Sequence, residues 1–159
     1  MHEADHQRVS DALRQRMREC AAGLVIPPPA FLAMQGEFLG YDERAGTLAA
    51  RFPILPEQLN PFGTMQGGMI AAAVDNTVGP LSLLVAPPSV TRRLEIKYSR
   101  GVSAEDEYIH VEARLVERKK RRLFLEATVT DRRGVEVASG TAVHWVIDGL
   151  PDGRAGGGS

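Results

Sequence analysis

The stretch Asn60-Pro-Phe-Gly-Thr-Met-Gln-Gly-Gly68 runs directly into a long apolar segment, Met69 to Ala86, that carries one carboxylate, Asp75. A polar turn, two adjacent glycines, a helix start and an acid about two turns in follow one another in that order. Free backbone N–H groups at a helix N-terminus can stabilise an oxyanion, and a carboxylate farther along the helix can handle a water or attack a carbonyl. Glu57 is the only other formal charge between Arg51 and Arg92. From Met69 to about Val85 the chain is apolar on nearly every side, which predicts a helix buried all round. Pro80 predicts a kink or a restart within it, and Pro87-Pro88 ends it.

Upstream, residues from about Glu3 to Gly23 read as an amphipathic helix, with Val9, Leu13, Met17, Cys20 and Leu24 at three- and four-residue spacing. Gly23 and the run Pro27-Pro28-Pro29 stop it. This helix is expected to cross the outside of the body or to serve as an oligomer contact. Phe31 to Leu39 and Thr47 to Phe52 read as strands joined by a turn at 42–46. Downstream, four strands are expected in meander: Val90–Tyr98, Tyr108–Val116, Leu123–Thr130 and Val135–Ile147. In the first, alternation puts Val90, Arg92, Leu94, Ile96 and Tyr98 on one side. The division is therefore residues 1–29 as helix and Pro-rich linker, 30–150 as the main domain, and 151–159 as a disordered Gly-rich tail. A helix apolar all round must be wrapped, and a curved antiparallel sheet of about six strands is the economical wrapper. The fold class is α+β.

Composition sets the outer limits. The chain has 159 residues, 43% hydrophobic and 25% charged, which suits one globular domain with a real core. A formal net charge of -1 gives no global drive toward nucleic acid or an anionic membrane. Cys20 is the only cysteine, so an internal disulfide is impossible and a reducing, cytoplasmic setting is expected. The N-terminal residues are too polar for a secretory signal. A membrane span is not expected, because Asp75 and Pro80 interrupt the apolar run. Four scattered histidines make no metal site, and His110 and His144 read as isolated structural residues.

These pieces resemble the hotdog-fold thioesterases, specifically the phenylacetate-pathway (PaaI-like) acyl-CoA thioesterase group, over roughly residues 30–148. The family pattern is an Asn, a turn ending in His-Gly-Gly, then an apolar helix with an acid about two turns in. Asn60, Gly67-Gly68 and Asp75 match it. Thr91-Arg-Arg-Leu-Glu-Ile-Lys-Tyr98 is similar to the strand after the helix, and Ala138-Ser-Gly-Thr141 to the small-residue run of the last strand. Gln66 stands where the family has His. Gln can donate and accept hydrogen bonds but carries no proton at neutral pH, so a general-acid role at that position is lost.

The resemblance implies acyl-CoA hydrolysis to a carboxylic acid and free coenzyme A, with no metal or redox cofactor. Asp75 would be general base or nucleophile, and the residues do not separate these. Gly67 N–H would be the oxyanion donor, with Gly68 keeping the approach open. Asn60 and Gln66 would position loop and water; for Asn60 a plain Asn-Pro turn is the competing reading. Thr64 reads as a loop residue bonding the backbone. The basic run Arg118-Lys119-Lys120-Arg121-Arg122 reads either as a solvated hairpin tip or as a clamp for coenzyme A phosphates. Family likeness further implies a homodimer, or dimers paired into tetramers, with pockets between subunits. A non-catalytic acyl-CoA-binding protein is the alternative that Gln66 keeps open, and a hotdog hydratase or dehydratase a further one.

Overall fold

The computed structural model describes residues 2–18 and 25–147. The expectations for Cys20, Gly23 and Leu24, and for the Gly-rich tail, lie outside these residues. The elements are α1 (His2–Arg18), α2 (Pro29–Ala33), β1 (Glu37–Asp42), β2 (Thr47–Pro53), α3 (Gly67–Val85), β3 (Ser89–Tyr98), β4 (Tyr108–Lys119), β5 (Arg122–Asp131) and β6 (Glu136–Val146). The six strands form one antiparallel sheet in the order β1-β2-β4-β5-β6-β3. The expected meander holds only for β4, β5 and β6. β3 pairs with β6 and takes the far edge, because α3 carries the chain across the sheet between β2 and β3.

Alternation works as the strands require. Ile109, Val111 and Ala113 of β4 and Leu123, Leu125, Ala127 and Val129 of β5 are buried toward α3. Their neighbours Glu112, Arg114, Glu126 and Thr128 stay outside. α3 fills the concave face with Ile70, Ala73, Val74, Thr77, Val78, Leu81, Ser82 and Leu84. Three glycines and Pro80 give this sequence a poor intrinsic helix propensity, so burial of that stripe holds it. The close approach of α3 to β6 explains the small-residue run. A Cβ at Gly140 would sit 2.9 Å from Ile96 Cδ1 and 3.3 Å from Val74 Cγ1.

Two expectations are corrected. α3 is not buried all round: Gly68 and Asp75 are exposed and Ala71, Ala72, Asn76, Gly79 and Leu83 half-exposed. The opening exists because no described strand lies beyond the β3 edge. The segment from Phe31 is not a strand throughout. Pro29 occupies the first turn of α2, and a turn at Met34-Gln35 intervenes before β1. Phe31 is thereby turned inward, its ring stacked on Phe38 at 4.4 Å and edge-on to Phe52 at 5.5 Å. α1 lies against β1 and α3, burying Val9, Leu13 and Met17. His6 Nδ1 accepts a hydrogen bond from Phe38 N–H at 3.0 Å, tying α1 to the β1 edge.

Candidate active site

Residues 60–66 form a tight loop that delivers the chain to α3. Asn60 organises it: its Oδ1 accepts from the N–H groups of Phe62 (3.0 Å) and Thr64 (3.1 Å), and its Nδ2 donates to Thr64 Oγ1 at 2.8 Å. Side-chain bonding to the following backbone is the expected behaviour of an Asn turn. The loop is backed by Met65 N–H donating to Val102 O at 2.8 Å and by Gln66 N–H donating to Gln58 O at 2.8 Å. Gln66 is the N-cap of α3, makes no side-chain capping bond, and is exposed.

Gly67 and Gly68 fall inside the first turn of α3, two residues earlier than the apolar run suggested. Their N–H groups are among the first four of the helix, which have no intrahelical acceptor, and the helix dipole adds partial positive charge there. Neither makes a backbone hydrogen bond among the described residues. Tyr98 OH donates to Gly67 O at 2.6 Å, and a Cβ on Gly67 would sit 3.2 Å from Tyr98 Cζ. The phenol therefore packs directly over this glycine.

Asp75 was expected to be buried, and in the single chain it is exposed, at the rim of an open chamber of about 410 Å³. α1 contributes Leu13 and Met17 to the walls, and the segment after it contributes Val25, Ile26 and Pro28. Gly79, Pro80 and Leu83 of α3 face them. Arg14 Nε donates to Ile26 O and Arg16 Nε to Leu83 O, both at 3.2 Å, holding the walls together. A second concavity of about 430 Å³ lies on the outer sheet face around His110, Glu112, Arg114 and Glu126, far from this chemistry.

The polar side of the chamber holds three residues that sequence reasoning missed. Thr91 Oγ1 donates to Asp75 Oδ1 at 3.3 Å and lies 3.2 Å from His144 Nε2, and Ser89 Oγ lies 3.2 Å from His144 Nδ1. His144 is 2% exposed. Burial pushes its ring below the usual histidine range, while the Asp75 carboxylate pulls the other way. The signal that hid these residues is a β-bulge between Thr91 and Arg93, where the register against β6 slips by one. Simple alternation sends Thr91 outward with Arg93. The bulge turns it to the same face as Leu94 and Ile96, where α3 lies.

Asp75 and Gly67 are not neighbours within one chain. They stand eight positions apart on the helix, about 12 Å along the axis. Gly67 and Tyr98 mark one end of β3, whereas Asp75 reaches Thr91 near the other. The basic run is split: Arg118 and Lys119 end β4, Lys120 and Arg121 make the turn, and Arg122 opens β5. Arg122 pairs with Trp145 and Leu123 with His144, so this tip stands at the His144 end of the sheet. Among the described residues no group of His, Cys, Asp and Glu could hold a metal ion.

The comparisons agree with the fold. Residues 62–138 match the thioesterase superfamily model. A putative thioesterase related to phenylacetic acid degradation from Ralstonia eutropha JMP134 superposes with a TM-score of 0.72 at 23% identity, covering 85% of this chain and 99% of that one. The PaaI protein of the Escherichia coli phenylacetic acid degradation operon gives 0.72 at 16% identity, covering 89% and 98%. A Streptococcus mutans protein bound to acetyl CoA gives 0.65 at 21% identity, covering 72% and 90%. No curated protein matched by sequence. By its architecture the chain is a hotdog-fold protein, and the segment 62–138 is similar to the thioesterase superfamily.

Proposed function

We propose that the protein hydrolyses acyl-CoA thioesters at a site completed by two copies of the chain. The observation that carries this reading is the placement of Asp75 on the rim of an apolar chamber, with Thr91 donating to one of its oxygens. The chamber suits the acyl group. Asp75 serves as general base for water or as nucleophile, and Gly67 N–H polarises the thioester carbonyl of a substrate lying across the seam. Asn60 and Thr64 hold the loop, Gly68 leaves the approach open, and Gln66, exposed beside it, orients substrate or water. Lys119, Lys120, Arg121 and Arg122 meet the phosphates of coenzyme A. The acetyl CoA bound to the Streptococcus mutans structure supports that ligand class. No resident cofactor or metal is called for, and a cytoplasmic setting fits the lone cysteine.

The separation of Asp75 from its own Gly67 supports a dimer. Among the described residues β3 is an unpaired edge, and a two-fold axis beside it sets the Tyr98 end of one copy against the Thr91 end of the other. Phe62, 90% exposed at the loop tip, supports the same face as a covered one. The test is thiol release from a panel of acyl-CoAs. Asp75→Asn should lower kcat at least ~100-fold, a usual general-base contribution. Tight binding of acyl-CoA without thiol release by the unaltered protein would favour a carrier or sensor, the reading that Gln66 keeps open.

A further inference from the structure

His144 is the one histidine buried against the candidate site, and the hydrolytic scheme above gives it no part. We propose that His144 is a positioning residue for Asp75: with Ser89 and Thr91 it forms a hydrogen-bond chain of fixed direction that aims the Thr91 hydroxyl proton at the Asp75 carboxylate. The proposal rests on the thioesterase reading only for the task it assigns to Asp75.

The direction follows from counting protons. An ionised carboxylate only accepts, so the single Thr91 hydroxyl proton goes to Asp75 Oδ1 at 3.3 Å. Thr91 Oγ1 then has only lone pairs for His144, 3.2 Å away, and Nε2 must carry a proton to meet it. A neutral imidazole has one N–H, so Nδ1 is bare and accepts from Ser89 Oγ at 3.2 Å. Neutrality is what burial in this wall favours. The only arrangement that satisfies every atom runs Ser89 O–H to Nδ1, Nε2–H to Thr91 Oγ1, and Thr91 O–H to Asp75. A chain of this kind locks the rotamer of a threonine at a strand bulge and occupies Oδ1. Oδ2 is left for the water or acyl carbon.

Two readouts decide it. In protein with nitrogen-15-labelled histidine, long-range proton–nitrogen correlation without substrate reads the ring tautomer, the His144 signals being assigned by their loss in His144→Gln. The Nε2–H form is expected, and Thr91→Val, which removes the oxygen that demands a proton on Nε2, should let the Nδ1–H form appear. A dominant Nδ1–H form in the unaltered protein overturns the chain, whether or not hydrolysis is found. In the acyl-CoA assay, His144→Phe should lower kcat on the order of 10-fold with KM unchanged, as expected for a lost hydrogen bond to a group that contacts a charge. His144→Gln, which keeps an N–H near the Nε2 position, should recover most of that loss. A folded His144→Phe protein with undiminished kcat overturns the positioning role, and Ser89→Ala, a smaller change, serves if the Phe variant fails to fold.

Discussion

At the scale of single residues, Gly67 offers an unusually clean test. It is the first residue of α3, where proline is well tolerated because its missing N–H has no helical partner to lose. Gln66 before it has φ -59° and ψ 137°, the extended conformation that a following proline demands. Gly67→Pro should therefore fold, with the Tyr98 ring, 3.2 Å from a Cβ placed there, giving way by a few tenths of an ångström, while deleting the one donor assigned to the oxyanion. A loss of ~100-fold or more in kcat is expected, in line with removal of an oxyanion-hole donor. Normal kcat in the folded variant would move the role to another N–H. Asp131 makes a different kind of prediction. Burial raises its carboxyl, but N–H bonds from Val135 and Arg133 and the Arg100 guanidinium outweigh this and hold it below the usual value of 3.8. Arg100 also reaches Asp106 at 3.6 Å, so the cluster anchors the segment whose Val102 backs Met65. A carboxyl lowered by folding stabilises the native state above its unfolded value, and that stability disappears as pH falls through the folded value. The thermal midpoint of the unaltered protein should exceed that of Asp131→Asn above pH 3.8, and the gap should close below it. A gap independent of pH would mean the carboxylate charge contributes nothing.

At the scale of elements, strand pattern and helix content were legible where periodicity was simple. β4 and β5 fall where alternation put them, because each faces the core on one side and water on the other. The central helix was legible from its apolar run, yet its open side was not. Ala71, Ala72 and Gly79 look the same in sequence whether they touch a sheet or a vacancy beside an edge strand. Thr91 was lost for a sharper reason: one bulge reverses the facing of every residue before it, and no residue type announced it. His144 was lost with it, since only pairing across β3 and β6 joins the two. The half-open side of α3 also tells what the chamber can hold. A Cβ at Gly79 meets nothing within 4 Å, although the residue lines the wall. Gly79→Leu should fill the space and lower kcat/KM for bulky acyl groups on the order of 10-fold or more, the range that pocket volume controls, while acetyl-CoA turnover holds. Stability should hold or rise, because glycine inside a helix costs about 1 kcal/mol relative to alanine. An equal loss across all acyl lengths would place the acyl group elsewhere.

At the scale of the whole molecule, the sheet has two edges treated differently. α1, through His6, ties down the β1 edge, whereas the ten residues of β3 have no strand on their outer side among the described residues. Uncovered edges of that length invite pairing, and pairing about a two-fold axis is the way identical chains close without forming fibres. Each dimer would then hold two sites, each with Asp75 from one copy and the Gly67 loop from the other. That assignment has an arithmetic consequence. Asp75→Asn and Gly67→Pro, each nearly inactive alone, should complement when unfolded together and refolded, or when coexpressed. In a mixed dimer one site combines two altered partners and the other combines an intact Asp75 with an intact loop. Random pairing makes half the dimers mixed, with one good site of two, so activity should return to roughly a quarter of the unaltered level. Intact homodimers that exchange no subunits should stay inactive on simple mixing. If activity fails to return although mixed dimers are isolated, acid and loop act within one chain, and the 12 Å or so of helix between them would have to be bridged some other way.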